Sequence, residues 1–96
     1  MIFNPNLFIH VYPSIYTSGI YFQGKPVIIK VHAIKRAREK YVAYPEQVYD
    51  VLQTGKIKKF GKHGIKFVKR GKEGSIICLG EDLGHCIIIK TVERGN

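Results

Sequence analysis

The stretch VIIKVHAIKRAREKYVAYPEQVYDVLQTG, residues 27–55, decides the fold class because its hydrophobic period changes partway along. The run Val27–Val31 is mostly β-branched and follows Pro26, which predicts a short strand with the proline at its start. From His32 onward, apolar residues recur at helical spacing. One face of this predicted helix carries Ala33, Ile34, Ala37 and Tyr41, and the opposite face carries His32, Lys35, Arg36 and Glu39.

The later part of the same stretch predicts a second helix. Pro45 suits the first helical position, Glu46 complements the positive end of the helix dipole, and Gly55 supplies a C-terminal stop. Its buried stripe is predicted to be Val48, Val51 and Leu52.

The residues after Gly55 predict short strands joined by glycine-bearing turns. The connections GKHG and GKEG are short enough for hairpins, so these strands should form an antiparallel meander. The last two are apolar on both faces, which places them at the centre of the sheet or under the N-terminal segment. The predicted strands are Ile57–Phe60, Ile65–Arg70, Ile76–Leu79 and Cys86–Val92, with Leu7–Tyr12 and Ile20–Phe22 nearer the N-terminus.

These elements predict an α+β fold: two helices packed on a three- to four-stranded antiparallel β-meander, with additional N-terminal strands. Helices on one face would leave the other face of the sheet free to hold a ligand. The length of 96 residues suits one domain with a single modest core, so residues 1–96 are interpreted as one domain.

Positive charge is large and unevenly placed. The formal net charge is +9, and fourteen of the sixteen Lys and Arg residues lie between Lys25 and Lys72. Such a concentration attracts polyanions, so RNA or DNA is the expected partner. The alternative is a protein whose charge only keeps it dispersed.

The first 24 residues contain no Asp, Glu, Lys or Arg. They lack the basic region and the small-residue cleavage site of a signal peptide, and no apolar run is long enough to span a membrane. We therefore expect a cytoplasmic protein that does not bind membranes. The uncharged segment is expected either to cover the sheet or to form a homodimer surface.

Cys78 and Cys86 flank a predicted hairpin turn. A five-residue connection, 80–84, would set the two sulfurs opposite each other, whereas a four-residue connection would put them on opposite faces. Two buried thiols are the favoured reading, and a disulfide becomes credible only in a hyperthermophile. Two cysteines do not complete a zinc site, and the seven acids are scattered along the chain, so no metal and no cofactor are predicted.

A metal-free cationic site remains as the candidate chemistry. RNA can be cleaved without a metal when its 2′-hydroxyl attacks the adjacent phosphorus, which needs a base, an acid and cations on the phosphoryl oxygens. His32 and Arg36 lie one helical turn apart, so His32 is the candidate base or acid and Arg36 the candidate phosphate ligand. The alternative for both is a solvated helix face. His85, Lys66 and Arg70 are expected to assist.

Other residues are assigned plainer roles. His10 is expected to be structural and His63 to lie in a turn. Phe60 and Phe67 are candidates for stacking on bases, but their strand spacing favours a place in the core. The predicted nucleic-acid-binding residues are Lys40, Lys59, Lys62, Lys66, Lys69 and Arg70.

The order of these features resembles a known family. A strand ending in VHAIKRAREK, then YPEQVYDVLQTGKI, then a basic meander closing on IIIKTV, is similar to the small RelE/BrnT-like domains of the barnase–colicin–RelE ribonuclease fold. More narrowly, it resembles a prokaryotic domain of unknown function within that group. The resemblance covers residues 27–93 and is carried by His32, Arg36, Lys40, Gly55 and Thr91, with Lys40 in place of the family's arginine.

This resemblance implies a toxin-type, metal-independent endoribonuclease or a derivative of one, with an acidic antitoxin-like protein as the partner that would cover the basic face. Two alternatives stay open. In the first, the chain is a non-catalytic module that holds RNA or DNA through residues 56–72. In the second, it is a dimeric protein-interaction subunit that uses its uncharged N-terminal segment.

Overall fold

The computed structural model describes the backbone of residues 15–95 and the side chains of residues 19–95. Within this part of the chain it contains two helices and six strands. The helices are α1 (Val31–Glu39) and α2 (Glu46–Thr54), and the strands are β1 (Ile15–Phe22), β2 (Lys25–Lys30), β3 (Lys56–Phe60), β4 (Gly64–Gly71), β5 (Gly74–Asp82) and β6 (Ile87–Gly95).

All of these strands belong to one mixed sheet in the order β1-β2-β6-β5-β4-β3. Strands β3 to β6 form the predicted antiparallel meander, and β5 and β6 are central. The meander is not a separate sheet, however: β1 and β2, the additional N-terminal strands, extend it to six strands, and β2 lies parallel to β6, which was not predicted. The predicted strand at Leu7–Tyr12 and the expected dimer surface at residues 1–24 lie mainly outside the described residues.

The parallel pairing of β2 with β6 joins the N-terminal strands to the meander. Val27 lies beside Ile87 and Ile29 beside Ile89, and all four side chains are buried. Parallel strands need a long crossover connection and are usually covered by helices, so no local turn in the sequence marks the pair.

The core lies between the two helices and one face of the sheet. Phe67, Cys78 and Val92 form a row across β4, β5 and β6, and each is fully buried. The predicted stripe of α2 is confirmed, since Val48, Val51 and Leu52 are buried against this face. The ring of Phe22 meets that of Phe67 edge to face, with centroids 5.1 Å apart.

Helix α1 ends at Glu39, two residues before the end of its predicted apolar face at Tyr41. Tyr41 has a φ of 57° and is 90 % exposed, so the expectation that it joins the buried face of α1 is wrong. Val42 is buried instead. The guanidinium of Arg94 donates to the carbonyl oxygens of Lys40 and Tyr41 at 2.9 and 3.0 Å, which satisfies helix-end acceptors and fixes this end of α1 to β6.

Strand β6 contains a bulge opposite Gly80. The register passes from Leu79 opposite Thr91 to Gly80 opposite Ile89, so Lys90 is the extra residue. A Cβ on Gly80 would lie 1.8 Å from the carbonyl oxygen of Ile88, so the close approach of the two strands requires glycine here.

The two cysteines are buried free thiols, as favoured from the sequence. The alternative in which Cys78 faces Cys86 across the hairpin does not occur, because β5 continues to Asp82 and the bulge shifts the register, which sets Cys78 opposite Val92. Burial raises the pKa of the Cys78 thiol to about 12. Such a thiol is protonated at neutral pH and acts as a small apolar core residue.

Candidate nucleic-acid interface

The face of the sheet turned away from the helices is called the open face here. Residues directly opposed in an antiparallel pair share a face, so the register defines its side chains. Three rows cross it from β3 to β6, and they alternate with the buried rows of the core. The rows are Lys58, Lys66, Leu79 and Thr91; Lys56, Val68, Ile77 and Glu93; and Phe60, Gly64, Glu81 and Ile88.

Four cations on β3 and β4 form a basic stripe along one side of the open face. They line a groove of about 680 Å³ whose floor contains Val68, Ser75 and Ile77. Within residues 19–95, none of the four forms an ion pair with an acid. The basic stripe consists of Lys56, Lys58, Lys66 and Arg70.

The most informative pair in this stripe is Lys58 and Lys66. The two residues are direct cross-strand partners in the β3–β4 hairpin. Like charges in directly opposed positions destabilise a sheet by a few tenths of a kcal/mol up to about 1 kcal/mol. An uncompensated repulsion of this kind creates a site of positive potential that an anion relieves.

A second depression adjoins the basic stripe at the turn between β3 and β4. Its volume is about 500 Å³, and it is called the Phe60 depression here. The Phe60 ring lies over Gly64, since a Cβ built on Gly64 would be 2.4 Å from the ring atom Cε2. The residue is nevertheless 49 % exposed. The remaining wall includes Lys62, Leu79, Glu81, Lys90 and Thr91.

On the opposite side of the open face, next to α1, charges are paired. The Arg36 guanidinium donates to both carboxylate oxygens of Glu93, with Nη2–Oε1 at 2.9 Å and Nε–Oε2 at 3.3 Å. It also donates to Glu39 Oε1 at 3.1 Å, and the Thr91 hydroxyl donates to Glu93 Oε2 at 2.9 Å. This cluster, Arg36, Glu39, Thr91 and Glu93, is called the α1 rim here.

The electrostatics of the α1 rim follow from these contacts. Hydrogen bonds from Arg36 and then Thr91 lower the pKa of Glu93 below its usual range. The same Glu93 contact raises the pKa of Arg36 further. Arg36, expected to hold phosphate, therefore has its hydrogen-bonding nitrogens engaged by two carboxylates.

His32 lies on the polar face of α1, one turn before Arg36, and is exposed. Because Arg36 reaches Glu93 at the edge of the open face, the face of α1 that carries His32 borders the open face near β6. The exposed imidazole of His32 is sterically accessible, although His32 lines neither the groove of the basic stripe nor the Phe60 depression.

His85 lies elsewhere. The parallel register puts Val27 beside Ile87, so His85 is near the start of β2, while His32 follows its end. With a rise of 3.3 Å per residue, the two positions are separated by roughly 15 Å. The structure therefore does not bring His85 to His32 and Arg36. His63 lies in the β3–β4 turn, where its carbonyl accepts from the Asp82 N–H at 2.8 Å.

The predicted binding residues divide between two sides of the sheet. Lys66 and Arg70 belong to the basic stripe, and Lys62 lines the Phe60 depression. Lys59 is opposite buried Ile65 and so points to the helix side at the sheet edge.

Two further predicted residues do not belong to the stripe. Lys69 also lines the groove, but its ammonium forms an ion pair with Asp50 of α2. Lys40 follows the last residue of α1, where it adds to the positive potential at Glu93.

The sequence prediction included Lys56 and Lys58 only as part of the range 56–72, and it favoured the core over base stacking for Phe60. The alternation of positions 56, 58 and 60 along one strand was the pattern that could have grouped them. The expectation that both phenylalanines belong to the core is confirmed for Phe67 and wrong for Phe60. The reason is position: β4 is internal to the sheet, whereas Phe60 ends the edge strand β3.

Within residues 15–95, no group of three or more His, Cys, Asp or Glu side chains is arranged to hold a metal ion. In the same residues, neither helix has the length and apolar character needed to cross a membrane. Comparisons with protein-family models, with curated proteins and with solved structures found no match to this chain. The function of this chain is therefore inferred from the geometry of the open face.

Proposed function

We propose that the protein binds RNA on the open face of its sheet, with the basic stripe holding the phosphates. The observation that carries this proposal is the directly opposed pair Lys58–Lys66, which no described acid neutralises. Phosphate contacts supply most of the affinity of non-specific nucleic-acid binding, and lysine and arginine are the residues that make them.

The surrounding surface fits a strand better than a small anion. The rows of the open face run from β3 to β6, which at about 4.8 Å per strand spans roughly 14 Å. Apolar side chains, Val68, Ile77 and Leu79, lie between the cations and the α1 rim. A polynucleotide that crosses these rows would place its phosphates at the stripe and reach the neighbourhood of His32.

A charge-matched pair of variants tests this proposal. We expect the triple variant Lys56→Ala, Lys66→Ala, Arg70→Ala to lose at least tenfold in affinity for a labelled single-stranded RNA at low salt. The control triple variant Lys35→Ala, Arg38→Ala, Lys59→Ala removes the same charge from the helix side and the sheet edge, and should lose less than threefold. Fluorescence anisotropy measures both, and equal losses would contradict the assignment of the open face.

Metal-independent RNA cleavage is the second candidate function, favoured by the exposed His32 at the border of the open face. In this reaction His32 takes the proton of a 2′-hydroxyl, whose oxygen attacks the adjacent phosphorus while the bond to the 5′-oxygen breaks. The leaving oxygen takes up a proton, and the products are a 2′,3′-cyclic phosphate and a 5′-hydroxyl. Arg36 is already bound to Glu93 and Glu39. Lys66 and Arg70 lie on β4, two strands from β6, so they would hold phosphates farther along the RNA rather than the reacting one.

Incubation of RNA with the protein in EDTA, followed by gel analysis of the ends, tests cleavage. Wild-type protein should leave 2′,3′-cyclic ends, and His32→Ala should bind RNA without cleaving it. Intact RNA bound by the wild type would leave binding as the function, and cleavage retained by His32→Ala would remove His32 from the mechanism. RNA cleavage would agree with the RelE-like resemblance, which stays a proposal. The resemblance also implies an acidic protein partner, which would compete with RNA for the basic stripe.

A further inference from the structure

We infer that the Phe60 depression is a binding site for one unpaired nucleobase, so that the open face selects single-stranded over base-paired nucleic acid. This inference rests on the proposed function and names the ligand class of the same surface. It is carried by the accessible Phe60 ring, the fixed position of that ring and the neighbouring cations.

The Phe60 ring contacts Gly64 and is still half-exposed. A Cβ at Gly64 would come within 2.6 Å of two ring atoms, so the ring can occupy this position only because residue 64 has no side chain. An exposed aromatic side chain on a strand with only lysines and one isoleucine beside it, KIKKF, buries little apolar surface for the fold. The ring instead lines the Phe60 depression, where its exposed part is available to a stacking ligand.

The size and lining of the depression match a base rather than a phosphate. Its volume of about 500 Å³ accommodates a planar ring with solvent around it, and Leu79 supplies an apolar wall across from Phe60. The far side is polar, since Lys90 and Glu81 are ion-paired there and Thr91 adjoins them. A base that stacks on Phe60 would meet hydrogen-bonding groups along its edge.

The position of the depression relative to the stripe supplies the link to a nucleic acid. Phe60 lies two residues from Lys58 on the same face of β3, at a separation of about 7 Å. Lys62 stands at the turn on the other side of the ring. A phosphate held at Lys58 and Lys66 would therefore carry its base to Phe60. A paired base has both faces covered by its neighbours in the duplex and cannot stack there.

An oligonucleotide without bases separates stacking from charge. The probe pair is a fluorescein-labelled single-stranded RNA and an abasic ribose-phosphate strand of equal length, titrated by anisotropy. We expect wild-type protein to bind the base-bearing strand about 5- to 100-fold more tightly, the range that loss of stacking on one aromatic ring produces. Phe60→Ala should abolish this preference and leave the affinity for the abasic strand unchanged within twofold.

Ile57→Ala is the matched control, because Ile57 lies on the same strand, is similarly exposed and is opposite buried Phe67 on the helix side. It should retain the preference. Phe60→Leu keeps an apolar side chain over Gly64 and should behave as Phe60→Ala, which guards against a folding defect. The chain contains no tryptophan, so Phe60→Trp introduces a single indole whose fluorescence a stacked base should quench.

The outcomes distinguish the two proposals. A wild-type protein that binds both strands equally, or a Phe60→Ala protein that keeps the preference, would overturn the base site while leaving phosphate binding on the stripe intact. A wild-type protein that binds neither strand would overturn the proposed function, and the base site with it.

Discussion

The two sides of the open face differ in how their charges are satisfied. At the α1 rim, Arg36 is bound to Glu93 and Glu39, and Thr91 completes the hydrogen bonds of Glu93. At the basic stripe, Lys58 faces Lys66 and neither has an acid partner among the described residues. Both regions are rich in charge, and composition alone does not separate them.

This difference suggests which cations belong to the fold and which are available to a ligand. A paired guanidinium that joins α1 to β6 fixes the position of the helix, and using it for phosphate would require breaking its four hydrogen bonds to two carboxylates. An opposed pair of lysines destabilises the hairpin slightly and gains from an added anion. Loss of a charge at the α1 rim should therefore lower stability, whereas loss of a charge at the basic stripe should lower RNA affinity and raise stability.

The largest expected effect comes from a substitution of Gly80. Its backbone lies in close contact with the bulge of β6, between the basic stripe and the α1 rim. Gly80→Ala should lower the free energy of unfolding by about 3 kcal/mol, because the new Cβ would overlap the Ile88 carbonyl oxygen and force the strands apart. Chemical denaturation measures this change. The control is Gly71→Ala, whose Cβ would meet only the Gly74 carbonyl oxygen at 3.5 Å, and equal losses in the two variants would contradict the close approach.

The next effect concerns the basic stripe and has opposite signs for binding and stability. Lys58→Glu places a carboxylate opposite Lys66, so the affinity for RNA should fall at least tenfold while Tm rises by roughly 2–4 °C. Anisotropy and thermal denaturation measure the two quantities. Lys59→Glu, one residue away on the other face, should change RNA affinity much less. A fall in both affinity and Tm for Lys58→Glu would mean that Lys58 is structural.

A smaller effect is expected at the α1 rim. Arg36→Met leaves Glu93 without its main partner and should lower Tm by a few degrees, whereas Arg38→Met, at an exposed position of the same helix, should leave Tm within one or two degrees. RNA affinity should fall equally and modestly in both variants. A much larger loss of affinity in Arg36→Met would return Arg36 to the binding site.

The same contact fixes the sign of a pH effect. Because the pKa of Glu93 is lowered in the folded protein, its contribution to stability is complete above the ordinary carboxylate pKa of about 4.3 and disappears as pH falls through the lowered value. Wild-type Tm should therefore fall more steeply than that of Glu93→Gln as pH decreases below about 4. Parallel curves for the two proteins would argue against the contact.

The local parts of the fold were predictable from the sequence. Pro45, Glu46 and Gly55 predict the limits of α2 because caps and breakers act through neighbouring residues. The turns at residues 61–63 and 72–73 were predictable in the same way, from the glycines at positions 61, 64, 71 and 74. The β2–β6 pairing and the bulge at Lys90 involve residues distant in the chain, and no local pattern encodes them.

The candidate site was likewise predictable from the sequence only in part. The clustering of positive charge between Lys25 and Lys72 indicates a polyanion partner, yet only the strand register shows that Lys66 shares a face with Lys58 and that Lys59 does not. Arg36 and His32 were expected to act together on one phosphate. Their helical spacing is as expected, but the partner of Arg36, Glu93, comes from the last strand and could not be assigned in advance.

The dependence of RNA affinity on salt tests the central claim most directly. Each phosphate neutralised on a single strand contributes about 0.7 to the slope of log K against log salt concentration, so four contacts at the stripe predict a wild-type slope of about −2.8. Lys66→Ala should reduce the magnitude of this slope by about 0.7, and Lys59→Ala should leave it unchanged. A slope that is equal in wild type and Lys66→Ala but reduced in Lys59→Ala would contradict the assignment of RNA to the open face.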